Sequence, residues 1–417
     1  MMNEPAVQFV ESGDISKDID QRVAMMRYFR DIGQLPFFRR IDSVHAPRVN
    51  VEGSDCVLLG SNSYLGLATH PAVIAASVEA TQEFGVGTTG SRLLNGTYRM
   101  HTEIERSLAD WMGKEDAVLF TTGYQTNVGA LQGLLGPDCL AVVDSYAHAS
   151  IRDGVRLSRA VEAKFAHNDL GSLVEVLRAH AGTSFRRTMV IVDSLYSMEG
   201  STAPLEQIGA VCKEHGALFF VDEAHGLGVF GETGAGLAEH AGVREKADII
   251  MGSLSKSAGS LGGFIAASQD LVDEVRLAAR AFWFSTSGTP GAIAAAAASI
   301  GLIRSQEGKE RRERLERNSR LMRALLAPLD VALHRADERS PDWSPIIPIR
   351  LRDELRTALS WNQLKDQGLF VTPAIYPAVP LGKPILRVCM NSELSEDDVR
   401  QCAALLHAEL SWIFEPA

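Results

Sequence analysis

A chain of 417 residues, 46% hydrophobic and 22% charged, has the make-up of an ordinary soluble globular protein, and at this length one core stops growing, so a large domain with smaller pieces is expected. A net charge of −11 argues against a nucleic-acid partner, and the most apolar window, 291–303, falls short of the roughly 20 residues that a bilayer span needs. Cys56, Cys139, Cys212, Cys389 and Cys402 show no CxxC or zinc-ligand spacing and read as buried free thiols; no metal is expected, and with no secretory start visible the cytoplasm is the expected location.

Residues 1–58 read as an N-terminal arm, in which Ile19, Val23, Met26, Tyr28 and Phe29 fall at helical spacing before a stop at Leu35 and Pro36. Such an arm packs on a neighbour or on its own body, and a dimer contact is favoured. The stretch 57–67 is a strand running into a polar turn, Pro71 opens a helix through Glu83, 85–96 is a glycine-rich loop, and 101–112 is an amphipathic helix. Short apolar runs at 117–120, 140–143, 189–192, 218–221, 249–251 and 263–267 then alternate with helical stretches such as 205–215, the pattern of a mostly parallel sheet covered on both faces. Asp144, Asp193 and Asp222 end such runs, and in these sheets ligands bind beyond the carboxyl ends of the strands. The charge run 309–323 sets Glu and Arg at helical spacing and reads as an exposed, ion-paired helix rather than a polyanion site. It leads into strands at 346–349 and 385–389 and a last helix opened by the capping-box residues Ser395 and Asp398. The expected organisation is an α/β large domain over 59–300, with a mostly parallel central sheet, followed by a smaller C-terminal α+β domain over 301–417.

The chemistry-bearing residues gather at the ends of these runs. Lys256 follows 249–251 in Gly252-Ser253-Leu254-Ser255-Lys256, a loop of small residues that lets a bulky planar ligand approach an amine able to form a Schiff base with an aldehyde. Asp222 and His225 follow the run 218–221; an aspartate there can hold a pyridinium nitrogen protonated, and the histidine can reach the same ring's hydroxyl oxygen. Thr122, Gly123 and Tyr124 stand where a strand turns into a helix, a common seat for phosphate, and His148, after another strand end, can stack on a planar ring. Singly, each has a plain alternative: a solvated loop lysine, a helix-capping carboxylate, an ordinary glycine turn, a surface histidine. Taken in order they have one joint explanation, pyridoxal 5'-phosphate (PLP).

The motifs behind this reading run through nearly the whole chain from Asn62: Ser61-Asn62-Ser63-Tyr64-Leu65-Gly66-Leu67, Gly87-Thr88-Thr89-Gly90-Ser91-Arg92, Thr122-Gly123-Tyr124-Gln125-Thr126-Asn127, His148-Ala149-Ser150, Tyr196-Ser197-Met198-Glu199-Gly200, Asp222-Glu223-Ala224-His225-Gly226, Ser253-Leu254-Ser255-Lys256, Phe284-Ser285-Thr286-Ser287 and Leu386-Arg387. In this order they resemble the α-oxoamine synthases, which have the PLP-dependent transferase fold type I and include serine palmitoyltransferase, 8-amino-7-oxononanoate synthase, 5-aminolevulinate synthase and 2-amino-3-ketobutyrate CoA ligase. The stretch 87–127 is most similar to bacterial serine palmitoyltransferases, whereas 193–197 and 390–392 are similar to a relative that makes α-aminoketone signals.

The resemblance implies that Lys256 carries PLP as a Schiff base, Asp222 pairs with the ring nitrogen, His225 contacts the ring oxygen and His148 stacks on the ring. It implies also that Gly123, Tyr124 and Ser253 hold the phosphate, with Thr286 reaching it from the other subunit of a homodimer with shared active sites. Ser197 would lie beside the ring, and Arg387 with Asn62 would take the amino-acid carboxylate. Ser63, where Asn or Asp is common, and Gly288-Thr289-Pro290, where Leu-Pro-Pro is common, depart from the family in ways that bear on acyl-chain preference. The implied reaction joins an amino acid to an acyl thioester, on coenzyme A or a carrier protein, and yields an α-oxoamine, carbon dioxide and free thiol; a serine palmitoyltransferase-like acyltransferase is the first expectation. An 8-amino-7-oxononanoate synthase-like or α-aminoketone-forming enzyme, a PLP aminotransferase or lyase on the same fold, and a non-catalytic partner subunit are the alternatives. The last is disfavoured because Lys256, Asp222 and His225 are all present.

Overall fold

The computed structural model describes residues 21–329, 340–376, 379 and 382–414. Its strands are β1 (Arg48–Val51), β2 (Ser54–Leu58), β3 (Asp116–Phe120), β4 (Cys139–Asp144), β5 (Val161–Phe165), β6 (Arg187–Asp193), β7 (Leu218–Asp222), β8 (Ile249–Ser253), β9 (Gly263–Ala267), β10 (Ile346–Arg350), β11 (Leu369–Phe370), β12 (Thr372–Ala374) and β13 (Ile385–Cys389).

Seven strands form the central sheet in the order β3-β9-β8-β7-β6-β4-β5. Strand residues alternate in direction, so a strand covered on both faces must be apolar throughout. In β4, Leu140 and Val142 enter one core with Leu173, Leu205 and Ile208, while Ala141 and Val143 enter the other with Leu131, Ile151 and Val155. The helices Leu170–His180 and Leu205–His215 thus cover one face, and Gly123–Leu134 and Ala149–Ser158 the other.

Two features differ from the simplest reading of the apolar runs. β9 pairs antiparallel with both β3 and β8, because the 254–262 connection is shorter than the dozen or more residues a parallel crossover takes. β5 extends the sheet beyond β4, and as an edge strand it carries the polar Glu162 and Lys164, paired at 3.5 Å, in place of an apolar run.

Two smaller sheets, β1-β2-β11 and β10-β13-β12, lie outside the central one. β2 pairs with β11 in parallel, so the segment entering the central sheet is held by one near the C-terminus. The Cys389 N–H at the end of β13 donates to Leu59 O at 2.7 Å, and the Ser392 N–H donates to Tyr64 O at 2.9 Å, which fixes residues 59–64 beside β13. The helix Gln21–Asp31 buries Phe29 against Ala358 and Ile375 of its own chain and leaves Val23 and Tyr28 exposed; Ile19 lies outside the described residues.

The charge run forms the helix Gln306–Leu325, with ion pairs Arg311–Glu307 at 2.8 Å and Arg320–Glu316 at 2.9 Å. It is not wholly exposed: Arg311 and Arg312 are buried. Arg311 donates to Leu65 O at 2.8 Å and Glu393 Oε1 at 2.6 Å, and Arg312 donates to Ile303 O at 2.6 Å and Glu232 O at 2.5 Å. A guanidinium has five donors in a rigid fork, so these two stitch backbone carbonyls where a lysine would satisfy fewer. The five cysteines are buried and free. No helix among the described residues is long and apolar enough to cross a membrane.

Candidate active site

The site lies at the carboxyl ends of the parallel strands. β6 and β7 run in register to end at Asp193 beside Asp222, both buried. Asp222 accepts from Asn127 Nδ2 at 2.7 Å through Oδ2 and from the Ala224 N–H at 2.8 Å through Oδ1, so it is held in place. Asn127 Nδ2 also donates to Ser150 Oγ at 2.9 Å, which stands 2.7 Å from His148 Nδ1. Asp193 accepts the His148 N–H at 3.1 Å. Its carboxyl is pushed well above the usual range by burial and by Asp222 alongside.

β8 delivers Lys256 through a loop that turns at Gly259, where φ is +60° and a Cβ would stand 2.4 Å from the Ala68 backbone nitrogen; only glycine fits. The half-buried Lys256 amine is pushed down to about 8, by burial first and against the pull of Asp222 and Asp193, with the Arg387 charge adding to the fall. An amine with that affinity is neutral often enough at physiological pH to act as nucleophile or base.

Thr122 caps the helix Gly123–Leu134 by accepting the Gln125 N–H at 3.1 Å, leaving the first amides of the helix free for an anion. A Cβ on Gly123 would lie 2.9 Å from the buried Ser253 Oγ, so the helix start and the end of β8 meet with no room for a side chain at that position. The Tyr124 ring is turned outward, its hydroxyl donating to Asp153 Oδ2 at 2.5 Å, so only its backbone amide serves this corner. Thr286 is exposed, bridges to Ser91 through its backbone, and makes no hydrogen bond to Ser253 among the described residues; the Ser253 hydroxyl pairs with Ser255 at 2.9 Å.

Arg387 on β13 is buried, and one of its Nη2 donors meets Asn62 Oδ1 while its Nε has no partner. A buried guanidinium nitrogen without an acceptor is costly and suits an incoming carboxylate. His225 is buried with Nδ1 at 2.7 Å from the Tyr64 hydroxyl. Burial, then the Lys256, Arg387 and His148 charges, drive the His225 pKa well below its ordinary value, so the ring is neutral. Ser197 is half-buried in the loop after β6 and makes no side-chain hydrogen bond among the described residues.

The structure therefore gathers Lys256, Asp222, His225, His148 and Arg387 within electrostatic reach of one another, and sets Gly123 and Ser253 together at one corner. Sequence reasoning singled out neither Asn127 nor Tyr64 as a site residue, and it marked Asp193 only as a strand end. Their motifs carried the residues, but which side chain turns inward is a matter of register. A second polar chain, Ser201 Oγ to His167 Nε2 at 2.9 Å and His167 Nδ1 to Asp144 Oδ1 at 3.0 Å, has the distances of a nucleophilic triad. Ser201 is 4% exposed, and the nearby Tyr196 and Gly200 amides are spent on the Ser201 and Tyr196 carbonyls. This chain braces the ends of β4 and β6 and lacks an oxyanion site.

The family model described as aminotransferase class I and II matches residues 54–406. This chain is a class I/II aminotransferase-family protein. Among its relatives in that family, serine palmitoyltransferase of Caulobacter vibrioides is 40% identical over 371 residues, spanning 89% of this chain and 90% of the relative. The 8-amino-7-oxononanoate synthase 1 of Bacillus subtilis is 35% identical, over 87% of this chain and 90% of its own length. A high-resolution structure of serine palmitoyltransferase (SPT) with its PLP internal aldimine superposes with a TM-score of 0.88 at 35% identity, covering 96% of this chain and 99% of that one. Within the class I/II family the chain thus falls among the α-oxoamine synthases, with fold type I.

Proposed function

We propose that this chain is a PLP-dependent acyltransferase that condenses an amino acid with an acyl thioester, serine and a long-chain acyl group being the first pair to test. The observation that carries the reading is Lys256, an amine depressed to about 8, facing the strand-end carboxylates Asp222 and Asp193, with the unpartnered Nε of Arg387 close enough to add to the depression. The names of the relatives, serine palmitoyltransferase above all, support the substrate class.

The residues fit PLP. The corner at Gly123 and Ser253 brings helix-start amides and a hydroxyl together and excludes a side chain, which suits a phosphate, and Asp222 supplies a fixed carboxylate for a ring nitrogen. Bound there, PLP supplies an aldehyde for amine exchange and a protonated ring that accepts the electron pair left when a bond at Cα breaks. Lys256 holds the cofactor and then moves the Cα proton as a neutral amine. Asp222 would keep the ring nitrogen protonated, His225 would donate to the ring oxygen, and His148 and Ser197 would line the ring. The Gly123 and Tyr124 amides and the Ser253 hydroxyl would take the phosphate, with Thr286 of a second copy completing it in a homodimer, and the cytoplasm is the proposed location.

Arg387, steadied by Asn62, takes the carboxylate of the amino acid and so selects which Cα bond stands perpendicular to the ring. In the net reaction a Cα–H bond breaks, a Cα–acyl bond forms as the thiolate leaves, and the Cα–carboxylate bond breaks to release carbon dioxide. The proton taken from Cα and one from solvent leave on the thiol and the product carbon.

The test is the visible spectrum of the purified protein with PLP, titrated separately with glycine, alanine and serine, then with acyl-CoA while free thiol is followed. An imine band shifted by one amino acid, followed by thiol release, supports the synthase and names its substrate; serine separates it from an 8-amino-7-oxononanoate synthase-like enzyme. A shifted band without thiol release supports an aminotransferase or lyase instead. No imine band, and no change in Lys256→Ala, overturns the catalytic reading.

A further inference from the structure

Tyr64 lies beneath this site, fully buried, with three polar neighbours and one hydrogen to give. Its hydroxyl is 2.7 Å from His225 Nδ1 and 3.4 Å from Asn62 Oδ1, and the Arg387 charge lies within electrostatic reach of it. Burial, then Cys389, hold the Tyr64 pKa above its ordinary value, so the phenol keeps its proton. Asn62 Oδ1 already accepts from Arg387 and stands at the outer limit of a hydrogen bond from Tyr64. The phenol hydrogen therefore points at His225 Nδ1. A neutral imidazole that accepts at Nδ1 carries its only hydrogen on Nε2. The only side-chain hydrogen bond His225 makes among the described residues is the one at Nδ1.

We propose that Tyr64 is a positioning residue that fixes His225 as the Nε2–H tautomer and ties it to the Arg387–Asn62 pair, so that one buried hydroxyl sets both the ring-facing donor and the carboxylate-facing cation. That Nε2–H meets a cofactor oxygen rests on the PLP reading above; the tautomer itself does not. The arrangement gives the site a neutral donor aimed at an anionic oxygen. It also fixes that donor before any ligand arrives, which removes a reorganisation step from binding. In the opposite tautomer, Nδ1–H would face the phenol oxygen and Nε2 would present a lone pair to an anion, which repels it.

The experiment is nitrogen-15 NMR of the full chain labelled at histidine, with and without PLP, the His225 signals being assigned by their loss in His225→Asn. A pyridine-type Nδ1 and a pyrrole-type Nε2 are expected in the wild type. A pyrrole-type Nδ1, or both nitrogens protonated at neutral pH, overturns the inference without any variant, so it stays testable even if Tyr64→Phe fails to fold. Where Tyr64→Phe folds, the two His225 nitrogen shifts are expected to move toward each other as the tautomers mix, and kcat to fall by about tenfold, the scale of one buried hydrogen bond. An unchanged tautomer pattern in Tyr64→Phe makes Tyr64 a packing residue and sinks the proposal. An Nε2–H signal without an imine band sinks the cofactor reading and leaves the tautomer standing. An imine band with an Nδ1–H signal sinks this inference alone.

Discussion

Lys256 imposes a cost on the fold that pH can remove, and Lys256→Met isolates it. The amine titrates near 10.5 when free and is pushed down to about 8 in the folded chain, with burial the largest cause. Between those values the unfolded chain holds a proton that the folded chain has released, so raising the pH favours folding across this window. The cost is fully present below the folded pKa and gone above the free value. At about 1.4 kcal/mol per pH unit, the displacement corresponds to about 3 kcal/mol. Methionine fills similar space and does not titrate, so every other pH-dependent group cancels in the comparison. Unfolding free energies of the cofactor-free wild type and Lys256→Met, measured in urea from pH 7 to 11, should show the wild type gaining about 3 kcal/mol on the variant as pH rises. A difference that stays flat, or that shrinks toward high pH, would refute the argument that burial holds this amine neutral.

Arg387→Lys keeps the charge but loses the fork that leaves Nε free, so the KM for the amino acid should rise by roughly 10- to 100-fold with a smaller change in kcat; an unchanged KM in steady-state assays would remove Arg387 from the carboxylate site. Arg92 grips Glu105 with two bonds of 2.8 and 3.0 Å between nearly buried side chains, and Glu105 also accepts the Leu119 N–H at 2.8 Å. Arg92→Met leaves that carboxylate only the Leu119 N–H and Arg276 at 3.9 Å and should lower the unfolding free energy by about 3 kcal/mol in denaturant titration, whereas a loss within error would mean that Arg276 takes over the pair. Ser395→Ala removes the capping box at the start of Glu396–Glu409, in which Ser395 accepts the Asp398 N–H at 3.1 Å and Asp398 accepts the Ser395 N–H at 3.1 Å. It should cost about 1 kcal/mol and leave kcat unaltered, and a change in kcat would show that this helix is coupled to the site.

Lys256, Asp222 and His225 were legible because each sits where a buried apolar run stops, and a run that must be apolar on both faces can be read without knowing its neighbours. The antiparallel direction of β9 was not read, although its connection from β8 is too short for a crossover. β5 was not, since an edge strand meets water on one side and its Glu162 and Lys164 break the pattern that marks its neighbours. Arg311 and Arg312 sat in a run whose Glu and Arg spacing describes a solvated face equally well; their burial comes from the Leu65, Glu232 and Ile303 carbonyls that other segments bring to them.

Local pattern by itself determined the alternation of strands and helices, the covered central sheet and the residue types waiting at its carboxyl edge, because backbone periodicity and strand ends are properties of neighbouring residues. Only the tertiary structure decided that β13 carries Arg387 against Asn62, that Tyr64 meets His225, and that Asn127 reaches both Asp222 and Ser150. The first two follow from how β13 and residues 59–64 dock beside the central sheet, and the third from how the helices Gly123–Leu134 and Ala149–Ser158 pack on it. Docking is set by the summed packing of whole faces, which leaves no periodic trace at any one of the residues it brings together.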